Sequence, residues 1–156
     1  MKCITLNIKI MKKSPFVAIL AVFCSSFIAC ADNDQIITFA QLPAAAQATV
    51  KQYFDEANVA FCTLDRDFLS KEYKVQFNDG VELKFEGDGS LEKVDCKFRA
   101  VPEGLVPEVV REQIAAQFPE AVIVEWGKDD WGWKAELSNK LELKFNRKLQ
   151  MVGVDD

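Results

Sequence analysis

The residues that most often carry bond-making chemistry are scarce in this chain, and one is missing altogether: its 156 residues include no histidine. That removes imidazole as a general base, as the middle member of a triad and as the commonest metal ligand. Past residue 31 the serines are Ser70, Ser90 and Ser138. Each lies in a segment that reads as a turn, and none has the strand-to-helix context of a nucleophile elbow. No glycine-rich phosphate loop is present. These gaps argue against an enzyme, and no residue is assigned to catalysis or to a cofactor.

Cysteine is the remaining nucleophile. Cys3, Cys24 and Cys30 lie in the leader, while Cys62 and Cys96 lie beyond it. The latter two fall on the first and fourth strands of one unit. In a plain meander those strands stand three spacings apart, roughly 14 Å, too far to bridge. Two small buried thiols are therefore expected rather than a disulfide. Acidic groups recur at Asp65-Arg66-Asp67, Glu86-Gly87-Asp88-Gly89 and Asp129-Asp130. None follows the spacing of a calcium-binding EF-hand loop, so they read as solvated turns and no metal ligand is assigned.

Trp126, Trp131 and Trp133 cluster within eight residues. Trp133 takes the place of Tyr73 in an internal repeat and is expected in the core. Trp126 falls on the face opposite Ile123 and Trp131 at a strand entrance. Two readings stay open for this pair. They anchor a protein partner, with Asp129 and Asp130 beside them, or they cover the junction between two repeats.

The elements that position these residues are written twice. Leu42-Pro43-Ala44-Ala45-Ala46 matches Val106-Pro107-Glu108-Val109-Val110 at an offset of 64, which holds through Phe54/Phe118 and Val59/Ile123. The offset then becomes 60, aligning Tyr73 with Trp133, Phe77 with Leu137, and Val81, Leu83 and Phe85 with Leu141, Leu143 and Phe145. Leu42, Ala46, Val50 and Phe54 form one helical stripe, as do Val106, Val110, Ile114 and Phe118. Pro43 and Pro107 suit a first helical position, and Thr38 with Gln41 resembles a capping box.

The strands that follow alternate with period two, which implies one buried and one wet sheet face. Only a three-residue Asn78-Asp79-Gly80 loop pairs Phe77 with Val81, Val75 with Leu83 and Tyr73 with Phe85, keeping the apolar residues together. In the second unit either Lys140 sits left-handed, at about 1 kcal/mol, or the turn differs. The expected class is α+β: two tandem repeats, 32–98 and 99–156, each a helix packed on a four-stranded antiparallel meander.

Residues 1–31 read as an export signal, with Met11 an alternative start. Lys12 and Lys13 precede an apolar run from Phe16 to Ala29, too short to span a bilayer, which needs about 20 residues. Ala29-Cys30-Ala31 supplies a cleavage pattern. Phe27-Ile28-Ala29-Cys30 also resembles a lipobox, in which Cys30 would be lipidated. The expected location is periplasmic or secreted, with an outer-membrane lipoprotein as the alternative. Beyond the leader 15 basic residues face 24 acidic ones, a net charge of −9. That balance argues against nucleic acid and, unless Cys30 is lipidated, against a membrane partner.

The Leu-Pro-Ala-Ala-Ala opening, the helix ending in an aromatic residue and the Tyr-x-Val-x-Phe-Asn-Asp-Gly-Val-Glu-Leu-Lys-Phe hairpin resemble the PepSY-like bacterial periplasmic proteins, which are grouped with β-lactamase-inhibitor-protein-like domains. The resemblance covers Ile37 to Asp156. It implies a helix on a four-stranded antiparallel sheet in each unit, and it carries no activity or catalytic residues. The expected function is a non-enzymatic, inhibitor-like binding module of the cell envelope that engages a protein or peptide. The alternative is a small-ligand or calcium-responsive sensor.

Overall fold

The computed structural model describes residues 34–66 and 70–155. The leader with Cys30, and Asp67 of the first acidic turn, lie outside the described residues. Along the chain run β1 (Gln35–Ile37), α1 (Ala44–Tyr53), β2 (Val59–Arg66), β3 (Lys71–Phe77), β4 (Glu82–Glu86) and β5 (Leu91–Asp95). They are followed by α2 (Glu108–Gln117), β6 (Ile123–Asp129), β7 (Gly132–Leu137), β8 (Glu142–Asn146) and β9 (Met151–Asp155).

The sheet corrects one expectation. The two repeats do not form two small sheets. The described strands make one nine-stranded antiparallel sheet in the order β1 to β9. β5 joins β6 through Lys93↔Gly127, Val94↔Trp126 and Asp95↔Glu125. Two separate sheets would each leave a strand edge unpaired at the junction, and pairing them satisfies those N–H and C=O groups. β1, not foreseen in the sequence, pairs with β2 through Ile36↔Thr63 and Ile37↔Cys62. It thus stands against β2 as β5 stands against β6.

Both helices cover the same face. Leu42, Ala46 and Val50 of the first stripe and Val106, Val110 and Ile114 of the second are buried in one cluster. Val75, Leu83, Phe85, Leu137, Leu143 and Phe145 of the sheet complete it. Each proline caps its helix one position earlier than expected: the Pro43 carbonyl accepts the first helical bond, from Gln47 N–H, at 3.0 Å. Before α1 the Gln41 side chain accepts from Thr38 N–H at 2.8 Å, closing the expected box around a 3-10 turn, Phe39–Gln41.

The hairpin register is as derived. Tyr73 faces Phe85 and Val75 faces Leu83. Phe77 N–H donates to Val81 C=O at 2.9 Å, and Gly80 sits at φ 90°. Lys140 takes the same left-handed position, φ 74°.

The face expected for Trp126, opposite Ile123, requires a second correction, although its pairing with Val94 sets it at the junction of the repeats, as the other of its two readings has it. Trp126 is 3% exposed, not at the surface. A β-bulge explains this: Ile123 pairs with Leu137, but the next pair is Glu125↔Glu136, so one extra residue is inserted. The insertion reverses which alternate residues face the core, and Trp126 turns inward. The same bulge lies between Val59 and Phe61 and turns Cys62 inward. Room for the indole comes from the neighbouring strand, since Cys62 faces Val75 whereas Trp126 faces Ala135. Cys62 and Cys96 are both free and buried. β5 ends before Cys96, where the Asp95 carboxylate accepts from Lys97 N–H at 2.8 Å and Lys97 turns to φ 59°.

Candidate functional site

The face without helices is an ordered array of charge. Strand alternation puts every second side chain there, and the register aligns them into rows across the sheet. One row reads Thr63, Lys74, Lys84, Lys93, Gly127, Lys134, Lys144 and Gly153. The next reads Gln76, Glu82, Asp95, Glu125, Glu136, Glu142 and Asp155. Like charges directly opposite one another destabilise a sheet. Diagonal pairs between the rows offset this: Lys134–Glu142 at 3.2 Å and Lys144–Asp155 at 2.5 Å. Outside the acidic row, Lys84 pairs with Glu72 at 3.0 Å.

At the centre Glu125, 7% exposed, is held by Lys93 at 2.8 Å and Lys134 at 3.6 Å. Gly127 lets Lys93 lie flat across the row, because an added Cβ would stand 3.0 Å from the lysine's Cβ and Cγ. Burial pulls the Lys84 and Lys134 ammoniums down, but the carboxylates of Glu72, and of Glu142 and Glu125, more than offset this and raise both. Lys84 and Lys134 therefore stay charged near neutral pH.

The β6–β7 hairpin brings Asp129 and Trp131 to one tip, with Asp129 facing Gly132. Trp131 is 85% exposed. Asp130 N–H donates to Asp129 Oδ1 at 2.8 Å, which stiffens the turn. Gly132 admits no side chain, since a Cβ there would lie 2.1 Å from the Phe145 carbonyl oxygen. Beneath the tip Trp126 and Trp133 stack at 5.2 Å with rings 2° from parallel, and Phe145 meets Trp126 edge-on at 5.8 Å. Of the four residues singled out in the sequence, Trp131, Asp129 and Asp130 are exposed together, and Trp126 supports them from the core.

The thiols are poor nucleophiles here. Burial raises the Cys62 thiol and pushes Cys96 up to about 11, so both stay protonated near neutral pH. Among the described residues no three Cys, Asp or Glu gather around a point that would hold a metal ion. In the acidic turns, Asp88 Oδ1 accepts from Ser90 N–H at 2.8 Å and Glu86 pairs with Lys128. What the surface offers is ordered charge, one projecting indole and a stiff hairpin to carry it.

The family model described as "Putative beta-lactamase-inhibitor-like, PepSY-like" matches residues 30–93 and again 71–152. The chain belongs to this PepSY-like family. The two matches share 71–93, which covers β3, β4 and the start of β5, so the family pattern runs through the sheet twice and overlaps within the first repeat. Three solved structures are similar. One, from Bacteroides vulgatus and described as a "putative periplasmic protein", is 32% identical, with a TM-score of 0.77 over 81% of this chain and 99% of that one. A "putative calcium-regulated periplasmic protein" from Bacteroides thetaiotaomicron is 34% identical, with a TM-score of 0.76 and the same coverage. A third, also from Bacteroides vulgatus and described as "of unknown function", is 26% identical, with a TM-score of 0.73 over 79% of this chain and 99% of that one. No curated protein matches the sequence.

Proposed function

We propose that this chain is a non-enzymatic periplasmic binding module, built from two sixty-residue copies that each contribute a helix and four strands, with β1 added at the edge, which engages a protein or peptide through the Trp131 hairpin and the charged face. The observation that carries this reading is Trp131 itself. A large indole 85% exposed on a stiffened tip offers an anchor with an apolar body and a polar N–H, the kind of side chain that dominates protein interfaces. Asp129 and Asp130 beside it, and the alternating rows behind it, supply orientation and selectivity. The relatives described as periplasmic support the location, as does the leader. A soluble form is preferred to one lipidated at Cys30, and intact mass of the exported protein separates the two.

The test places a photo-reactive amino acid at position 131 in the full chain, in its native envelope. One discrete protein adduct at 131, absent when the same group replaces Val109 on α2, is expected. Equal labelling at both positions, or none at 131, overturns the reading.

A second reading is a calcium-responsive module. It is favoured by the 34%-identical relative described as "putative calcium-regulated" and by the exposed Asp129-Asp130 pair. A rise in melting temperature at millimolar calcium, lost in Asp129→Asn/Asp130→Asn, supports it; no shift removes it.

A further inference from the structure

The two repeats differ at the foot of their helices. In the first, Phe39 of the 3-10 turn packs against the core, with the Lys51 ammonium 5.5 Å above its ring. Gln47 closes the same corner by donating to the Leu42 carbonyl at 2.8 Å. The second repeat has the same turn, Glu103–Leu105, ahead of the same helix. There the offset of 64 puts Glu103 at the place of Phe39, Ala115 at that of Lys51 and Arg111 at that of Gln47. Glu103 turns outward, with its side chain 85% exposed. No ring fills the corner, and a pocket of about 280 Å³ opens beneath Ala115, floored by Val106 and Ile114 and walled by Pro119 and Val122. For scale, an apolar cavity of roughly 150 Å³ holds benzene.

Arg111 stands in this pocket. One arm of its guanidinium donates to Glu103 at 3.3 Å, while its buried Nε has no acceptor. Arginine binds a carboxylate best through two parallel N–H groups, so this one is half used. The apolar surface continues past the pocket: its wall residue Val122 is 45% exposed, and Phe98, two residues before the lining Ala100, is 88% exposed, with the Lys140 ammonium 5.8 Å from its ring. A rim extending past the pocket suits a polypeptide rather than a small free molecule.

We propose that this pocket receives the C-terminal residue of a partner polypeptide. Its bulky apolar side chain takes the place that Phe39 fills in the first repeat, and its terminal carboxylate displaces Glu103 from Arg111. The proposal needs neither Trp131 nor the charged face, so it stands or falls apart from the reading above.

The experiment titrates the full chain with N-acetyl-phenylalanine, with its neutral amide and with a pentapeptide ending in phenylalanine, followed by NMR shifts of the Ala121–Ile123 amides. Saturable binding of the acid in the millimolar range is expected, at least tenfold tighter than the amide, with the pentapeptide tighter again. Glu103→Phe, which installs the first repeat's own plug, abolishes binding; if that variant fails to fold, Ala115→Leu fills the same space. Arg111→Gln reduces the acid to the affinity of the amide. No saturable binding, binding that survives the plug, or equal affinity for acid and amide overturns the proposal. So does a pentapeptide no tighter than the single residue, since the ligand would then be a small free carboxylate.

Discussion

The first and second repeats share backbone geometry to the level of single hydrogen bonds while using different residues to achieve it. Gly80 N–H donates to Phe77 C=O at 3.1 Å, and Lys140 N–H to Leu137 C=O at 2.9 Å. Gly89 N–H donates to Glu86 C=O at 2.8 Å, and Leu149 N–H to Asn146 C=O at 2.9 Å. Both turns require a left-handed residue, which the first repeat supplies as glycine and the second as Lys140 and Leu149. The comparison teaches that turn geometry is imposed by the strands it joins. Local preference sets only the cost of complying. What each repeat did with its surfaces and corners is the real divergence: the first filled its corner with Phe39, and the second opened a pocket and gained its tryptophans.

The largest expected contrast lies at the bulge. Trp126→Ala should destabilise the protein by about 4 kcal/mol, while Cys62→Ala at the equivalent place costs about 1 kcal/mol. Paired urea melts read both, and equal losses would mean that the second repeat's core does not depend on its indole stack.

Next is Gly89. An added Cβ would lie 2.7 Å from Pro43 Cβ at a φ of 86°, so Gly89→Ala should cost about 2–3 kcal/mol. Leu149→Ala, where a side chain is already accommodated, should cost about 1 kcal/mol. Reversal of that order would show that α1 can move away from its turn.

The buried thiols belong to the first repeat alone and give it a pH dependence. Cys96 titrates at 9.0 when unfolded and at about 11 when folded, so the folded state holds the proton more tightly. Stability should therefore be intact below pH 9 and fall between 9 and 11, on the order of 2 kcal/mol in total, and Cys96→Ala should flatten that decline. Melts across this range check it.

The smallest expected effect has the opposite sign. Lys140→Gly should stabilise by up to about 1 kcal/mol by relieving the left-handed backbone, less whatever its exposed pair with Glu136 at 3.1 Å contributes. No gain would mean that the ion pair, not the backbone, decides the residue there.

Several features were legible in the residues. The helical stripes, the hairpin register and the left-handed Gly80 follow from periodicity and loop length, which are local, whereas two turn geometries stayed open at Lys140 and the left-handed Gly89 and Leu149 were not foreseen. Trp131 was readable as lying at a strand entrance, but exposure and cover of the junction both stayed open for it. Trp126 was misplaced because a bulge shifts alternation by one residue, and nothing in the run Ile123-Val124-Glu125-Trp126 marks the insertion. The pocket was missed although its signal was present: Phe39 against Glu103 and Lys51 against Ala115 are visible in the aligned repeats. Their meaning depends on which side of the turn faces the core.

By itself, then, the sequence determined a pair of helix-and-strand repeats with one apolar and one charged sheet face, since period and offset are properties of the chain alone. Only the tertiary structure decided that the repeats share a single sheet, because the edges of β5 and β6 satisfy each other's hydrogen bonds across the junction. It also aligned lysines and carboxylates from separate strands into opposing rows. Register between strands is set by which pairs can close, and strands far apart in sequence come level only when all their neighbours are in place.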